Sequence, residues 1–320
     1  MSYHFKRDES VPEAVRRIAL EELESVADQL GRPRNRNHDE AIHEARKSVK
    51  KVRALLRLLR TELGDQYRAE SRGLRKVGRK LSELRDAGAV IEIFDTLKKK
   101  YPDEFRGRKF HSIRRVLVAR KRHAEEEANL PRVQRRLAES IKAATKRVKT
   151  WRIRTAGFAA IERGFQKTFR AGRTAFALAQ KRPRPENYHE WRKRLKDHWY
   201  HIRLLENVWT DVLLGYENSL KVLETWLGDD HNLVLLHDRL VADPESYGDE
   251  KTIDLVLRSI DKYQKELRDN AESFGNRIHQ EGPRRFTRRM RKLWQEWRAE
   301  PKSVEHFEKE HLKRLKECAA

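Results

Sequence analysis

The stretch His43-Glu-Ala-Arg-Lys-Ser-Val-Lys-Lys-Val-Arg-Ala-Leu-Leu-Arg-Leu-Leu59 carries two patterns at once. At 100° per residue, His43, Arg46, Lys47, Lys50 and Arg57 fall on one side of a helix, and Ala45, Val49, Val52, Leu55, Leu56 and Leu59 fall on the other. The segment is therefore expected to be an amphipathic helix with a basic wet face and an apolar core face. Between Arg46 and Leu59 there is no acidic residue, so cations stack at i+3 and i+4. Each such pair costs a helix about 0.2–0.5 kcal/mol. An anionic partner would offset that repulsion, so the stripe is read as a binding face rather than a solvated one.

The pattern recurs further along the chain. His189, Glu190, Arg192 and Lys193 repeat His43, Glu44, Arg46 and Lys47 at an offset of 146 residues, and Lys196 and Arg203 repeat Lys50 and Arg57. Trp191, Leu195, Ile202 and Leu205 restore the apolar side, with Tyr200 on the basic one. The same shift carries Leu58-Leu59 onto Leu204-Leu205, Leu81 onto Leu227, Arg85-Asp86 onto His231-Asn232, and Tyr101-Pro-Asp-Glu104 onto Tyr247-Gly-Asp-Glu250. One offset held across separate landmarks marks a tandem duplication. Two halves are expected, 1–150 and 151–320.

Gly and Pro are scarce, 14 and 9 in 320 residues, and strand-like alternation is absent. The spacing predicts an all-α chain with helices near 10–30, 38–63, 66–99, 104–128, 155–181, 185–209, 213–242 and 250–280. A basic connector is expected at 131–152, and a C-terminal piece at 284–317 broken at Pro301. Helices that each bury one stripe across short turns favour antiparallel four-helix bundles, one per half, with a basic groove or channel between them.

The bulk numbers agree with a polyanion ligand. The chain has 73 Lys and Arg against 50 Asp and Glu, a net charge of +23. A mean hydropathy of −0.93 and 38% hydrophobic residues still leave material for a core. The lone cysteine, Cys318, excludes an intrachain disulfide and fits a reducing compartment. No apolar leader or membrane-spanning run is visible, so a cytoplasmic chain is expected.

Further basic stripes flank the first. Arg68, Arg72, Arg75 and Arg79 lie opposite Leu74, Val77, Leu81 and Leu84. The shifted second-half positions keep one cation, Lys221. There the preceding helix offers Arg163, Lys167 and Arg170, with Arg173 at its edge, so the groove is expected to be asymmetric.

Taken together, these residues resemble the CHAD domains, named for a histidine within an α-helical domain. The carriers are His43-Glu-Ala-Arg-Lys47 with Lys50, Phe169-Arg-Ala-Gly-Arg173, and His189-Glu-Trp-Arg-Lys-Arg-Leu-Lys196 with Trp199-Tyr200. Leu84-Arg-Asp86, Leu227-Gly-Asp-Asp-His231 and the Phe286 to Trp297 stretch agree. The resemblance implies two pseudo-symmetric four-helix bundles, a basic central surface that binds inorganic polyphosphate, and association with polyphosphate granules. The residues so implicated are His43, Arg46, Lys47, Lys50, Arg57, Arg72, Arg75, Arg79, Arg170, Arg173, His189, Arg192, Lys193, Lys196, Tyr200, Arg203 and Lys221. Polyphosphate asks only for a line of cations, with Arg gripping oxygens bidentately and Lys acting as a point charge. His43 and His189 would gain charge beside it, so binding is expected to strengthen mildly on acidification.

Three rival readings are weaker. Nucleic-acid binding fits a pI near 10.1. The stripes, however, lack the Asn and Gln of base readout and the exposed aromatics of single-strand binding, since Trp191, Phe165, Phe169 and Phe176 sit on apolar faces. Nucleic acid is thus expected to be a weaker ligand. An enzyme acting on phosphoanhydrides would want a phosphate-binding loop or clustered metal carboxylates, and neither is visible, so no catalysis and no cofactor are expected. His198 and His201 fall three apart, with His198 on the apolar side, and His306 and His311 are five apart, so no metal is assigned.

Overall fold

A computed structural model describes residues 3–31, 38–107, 109–127 and 129–301. Those residues are all-helical, without a strand. The helices are α1 (Val11–Gly31), α2 (His38–Leu58), the single turn α3 (Arg60–Leu63), α4 (Asp65–Lys100), α5 (Lys109–Glu127) and α6 (Leu130–Val148). They continue with α7 (Ala159–Lys181), α8 (Pro185–Leu204), α9 (Thr210–Ala242), α10 (Glu250–Ile278) and α11 (Pro283–Ala299). None is long and apolar enough to cross a membrane.

Helix ends follow local chemistry. Pro185 and Pro283 open α8 and α11, where a missing N–H costs nothing. Asp249 caps α10 by accepting from the Thr252 N–H. The helix expected over 38–63 breaks at Leu59, which leaves the helical region at φ −88°, ψ 7°. Its shifted counterpart Leu205 breaks α8 in the same way, at φ −98°, ψ 3°, ahead of a 3-10 turn at 206–208. Gly64, at φ +49°, turns the chain into α4.

The basic connector expected at 131–152 is instead mostly the helix α6. Leu137, Ile141, Ala144 and Val148 form a buried i, i+4, i+7, i+11 stripe beneath its cations. Asn129 accepts from the Arg132 N–H, and Pro131 sits in the first turn. The density of charge concealed that stripe. The C-terminal piece is helical to Ala299. Its expected continuation to 317, with His306, His311 and Cys318, lies outside the described residues.

Apolar cores do not divide at residue 150. The larger joins α1, α2, α6 and the start of α4 to α7, α8, α11, the start of α9 and the end of α10. The smaller joins the far end of α4 and α5 to the far end of α9 and the start of α10. Helices α4 and α9, 36 and 33 residues long, run about 50 Å each at 1.5 Å per residue and serve both cores.

Where α7 crosses α2 there is no space for a side chain. A Cβ on Gly164 would stand 2.0 Å from the Leu58 carbonyl oxygen, which is backbone and cannot step aside. Gly164→Ala is expected to cost about 3 kcal/mol, because the two helices must separate to admit the methyl group. Urea unfolding of the variant beside wild type checks this, and a change below about 1 kcal/mol would refute the close crossing.

Candidate functional site

Four helices set the site. α2 packs on α4, α8 on α9, α2 on α8 and α4 on α9. The apolar stripes of α2 and α8 turn into the core, with Ala45, Val49, Val52, Trp191, Leu195 and Ile202 all buried. Their basic stripes are thereby left along the seam between the two helices.

Two depressions open on that seam. One, toward α9 and the middle of α4, is lined by His43, Arg46, Lys47, Lys50, Arg85, Arg192, Lys196, Tyr200 and Lys221, with Asp86, Glu224, Asp229, His231 and Asn232. The other, toward the start of α4, is lined by Arg46, Lys50, Arg53, Arg57, Arg75, His189, Arg192, Lys193, Arg194, Lys196, Asp197 and Tyr200. They share Arg46, Lys50, Arg192, Lys196 and Tyr200, which form a common wall.

The remaining candidates lie elsewhere. Arg72 and Arg79 are exposed on α4, and Arg79 stands 3.9 Å from Glu83. Arg203 is held near Glu217, at 3.7 Å. Arg170 and Arg173 are exposed on α7, as are Arg163 and Lys167, and none of them lines either depression. On α7 the buried stripe runs Ile161, Phe165, Phe169, Phe176, with Arg163, Lys167 and Arg170 turned away from it. These α7 cations, expected to wall the same groove, thus lie on an exposed face outside both depressions.

Other residues were not among the candidates. Arg53 continues the Arg46, Lys50, Arg57 stripe at helical spacing, but its shifted counterpart is Trp199, so a search for matched cations passes over it. Arg85 and His231, also a matched pair, face the first depression. Arg194 has Ser48 as its counterpart, which gives no signal.

Tyr200 is only 1% exposed; its ring stacks on Trp199 at 4.9 Å and meets Tyr3 edge-on. The His189 and His231 rings lie 4.1 Å apart. Burial first, and then neighbouring cations, push the His189 imidazole down to about 4, and burial and His189 push His231 down to about 3. His43 is lowered by burial and by Arg85. Among the described residues no group of three or more His, Cys, Asp or Glu converges to hold a metal.

The family model of the CHAD domain matches residues 13–241. This chain belongs to the CHAD domain family. No curated protein matches it. The match ends within α9, so α10 and α11 of this CHAD protein lie beyond the matched span while still filling its two cores.

Part of the cation stripe is neutralised from within the CHAD fold. Arg57 pairs with Asp197 of α8 at 2.9 Å, and Lys51 with Glu22 of α1 at 2.6 Å. Arg46 donates to Ser82 at 3.0 Å and lies 4.0 Å from Asp86. The repulsion expected within α2 is thus relieved partly by acids on other helices, which helical spacing could not reveal. Lys50 is not relieved in this way: among the described residues it makes no hydrogen bond or ion pair. Burial first, then Lys196, Arg46 and Arg192, hold its ammonium well below the usual lysine value. Lys196 is lowered to about 8, chiefly by burial, although Glu224 opposes the shift.

Proposed function

We propose that this CHAD protein holds inorganic polyphosphate, without turning it over, in a basic groove made of the two depressions along the α2–α8 seam. In the same reading residues 1–150 and 151–320 are two copies of one helical unit, facing each other across that seam with pseudo-two-fold symmetry. Membership of the family and the matched stripes support it. The observation that carries it is Lys50: a half-buried ammonium, unpaired and pressed against Lys196, Arg46 and Arg192, is an arrangement that an anion would relieve. Seams that hold cations together against their repulsion are stabilised by whatever anion enters.

Polyphosphate fits better than nucleic acid because the groove offers no exposed Trp, Tyr or Phe ring for a base. Trp199 and Tyr200, the aromatics at its wall, are buried and stack on each other, with the Lys196 and Lys221 ammonium groups over the Trp199 ring. Retention on polyphosphate granules would follow from the same contact.

Titration with polyphosphate of defined length at several salt concentrations tests the proposal. With about eight phosphates neutralised, the log–log salt slope is expected near −5 to −6, and a slope shallower than about −2 would mean that the groove is not the site. DNA at equal phosphate concentration is expected to displace labelled polyphosphate poorly; parity would favour a general polyanion binder. Release of orthophosphate from polyphosphate in the presence of Mg²⁺ would overturn the non-catalytic part.

A further inference from the structure

Among the acids beside the matched cations, Glu224 holds two of those cations at once. Glu224 of α9 has a side chain only 5% exposed, and one of its oxygens accepts from both Lys196, at 2.7 Å, and Arg192, at 3.2 Å. Its other oxygen lies 3.8 Å from Lys221. Burial alone would raise this carboxyl, yet Lys196 and Arg192 bring it down to about 2, so it stays ionised. A buried carboxylate held by two cations and approached by a third occupies the place a phosphate group would take beside them.

The other repeat has no acid at the equivalent position. Shifted by 146 residues, Glu224 corresponds to Gly78 of α4, while Lys196 and Arg192 correspond to Lys50 and Arg46. Lys50 is left without a hydrogen bond or ion pair among the described residues, and Glu224 reaches it only through space. Gly78 faces another cation of the α2 stripe: a Cβ there would lie 3.3 Å from an Arg53 guanidinium nitrogen and 3.5 Å from Val49.

We infer that Glu224 is a built-in competitor for ligand phosphate, which ties up the second-repeat cations so that a polyanion seats first against Lys50 of the first repeat. This rests on the polyphosphate reading above. Glu224 is then a determinant of affinity and of placement along the groove rather than part of the gripping set. Removing its charge frees Lys196 and Arg192 for ligand, and an acid installed at position 78 would stand beside Arg53, which lines the second depression.

Two variants test this, with the affinity for labelled polyphosphate of defined length as readout. Glu224→Gln keeps an oxygen acceptor and is expected to bind about tenfold more tightly. Its salt slope should steepen by about 0.7, one more contact. Gly78→Glu is expected to bind about tenfold more weakly, because the Arg53 guanidinium is a flexible end that can move aside for the new side chain. Weaker binding by a folded Glu224→Gln would overturn the inference, since it would make Glu224 an orienting partner of the cations. Unchanged binding by both variants would overturn it equally. If the loss of charge compensation unfolds Glu224→Gln, Gly78→Glu decides alone. Failure of the wild-type protein to bind polyphosphate would instead remove the functional reading itself.

Discussion

Between pH 7 and pH 5 the unfolding free energy of this protein is expected to fall by more than about 4 kcal/mol, because three core histidines, and to a smaller extent the partly exposed His189 and His231 of the seam, refuse protons that the unfolded chain accepts. His198, His201 and His279 pack around Phe165, Phe169 and Phe286. Each imidazole makes one hydrogen bond through Nε2: His198 with the Tyr216 hydroxyl at 3.0 Å, His201 to the Ala54 carbonyl at 2.8 Å, and His279 from the Trp191 indole at 3.3 Å. The Nδ1 of each is buried without a partner. Burial, the largest cause in all three, holds His198 well below its ordinary value, His201 at about 3 and His279 at about 4.

In the unfolded chain the same groups titrate near 6.5, so stability starts to fall once the pH drops below that value and goes on falling toward the folded-state values. At pH 5 each core histidine accounts for about 2 kcal/mol, about 6 for the three. Asp229 acts in the opposite sense. Burial raises its carboxyl to about 6, so the folded state takes its proton first and recovers about 1–2 kcal/mol. Urea unfolding at half-unit steps of pH measures the net fall. A flat profile from pH 7 to 5 would show that these imidazoles are not buried neutral. His201→Gln should remove about 2 kcal/mol of the pH dependence, whatever it does to stability at pH 7.

The second large effect concerns binding. Arg46→Glu combined with Lys50→Glu is expected to weaken polyphosphate binding about a thousandfold, equivalent to about 4 kcal/mol. Both side chains line both depressions, and each reversal replaces an attraction by a repulsion in a partly desolvated seam. Arg163→Glu with Arg170→Glu changes the net charge by the same amount on the outer face of α7, and should weaken binding less than about threefold at physiological salt. Equal losses from the two pairs would mean that affinity follows total charge rather than the seam.

The pH dependence of binding also moves away from the histidines to which the sequence assigns it. His189 is already pushed down to about 4, whereas Lys196 titrates at about 8. A phosphate beside Lys196 raises its value, so affinity should decline as the pH rises from 7 to 9.

Much of this was legible in the residues before any coordinates. The α2 stripe and its copy in α8 follow from helical periodicity, since 100° per residue separates Lys50 from Val49 whatever the helix packs against. The shift of 146 residues even matched a feature not looked for, the helix break at Leu59 and Leu205. What escaped was information that belongs to no single helix. The stripe hidden in α6 needed a neighbour to show that Leu137 and Ile141 are buried. Arg163, Lys167 and Arg170 read the same whether they face a groove or open solvent, because periodicity fixes which residues share a face and not what the face meets.

By itself, then, the sequence determined most of the helices, the family and the cations that recur at an offset of 146 residues. Only the tertiary structure decided which of those cations remain available. Coulomb interactions act through space: Asp197 reaches Arg57 and Glu224 reaches Lys196 from other helices, whereas no acid among the described residues forms an ion pair with Lys50.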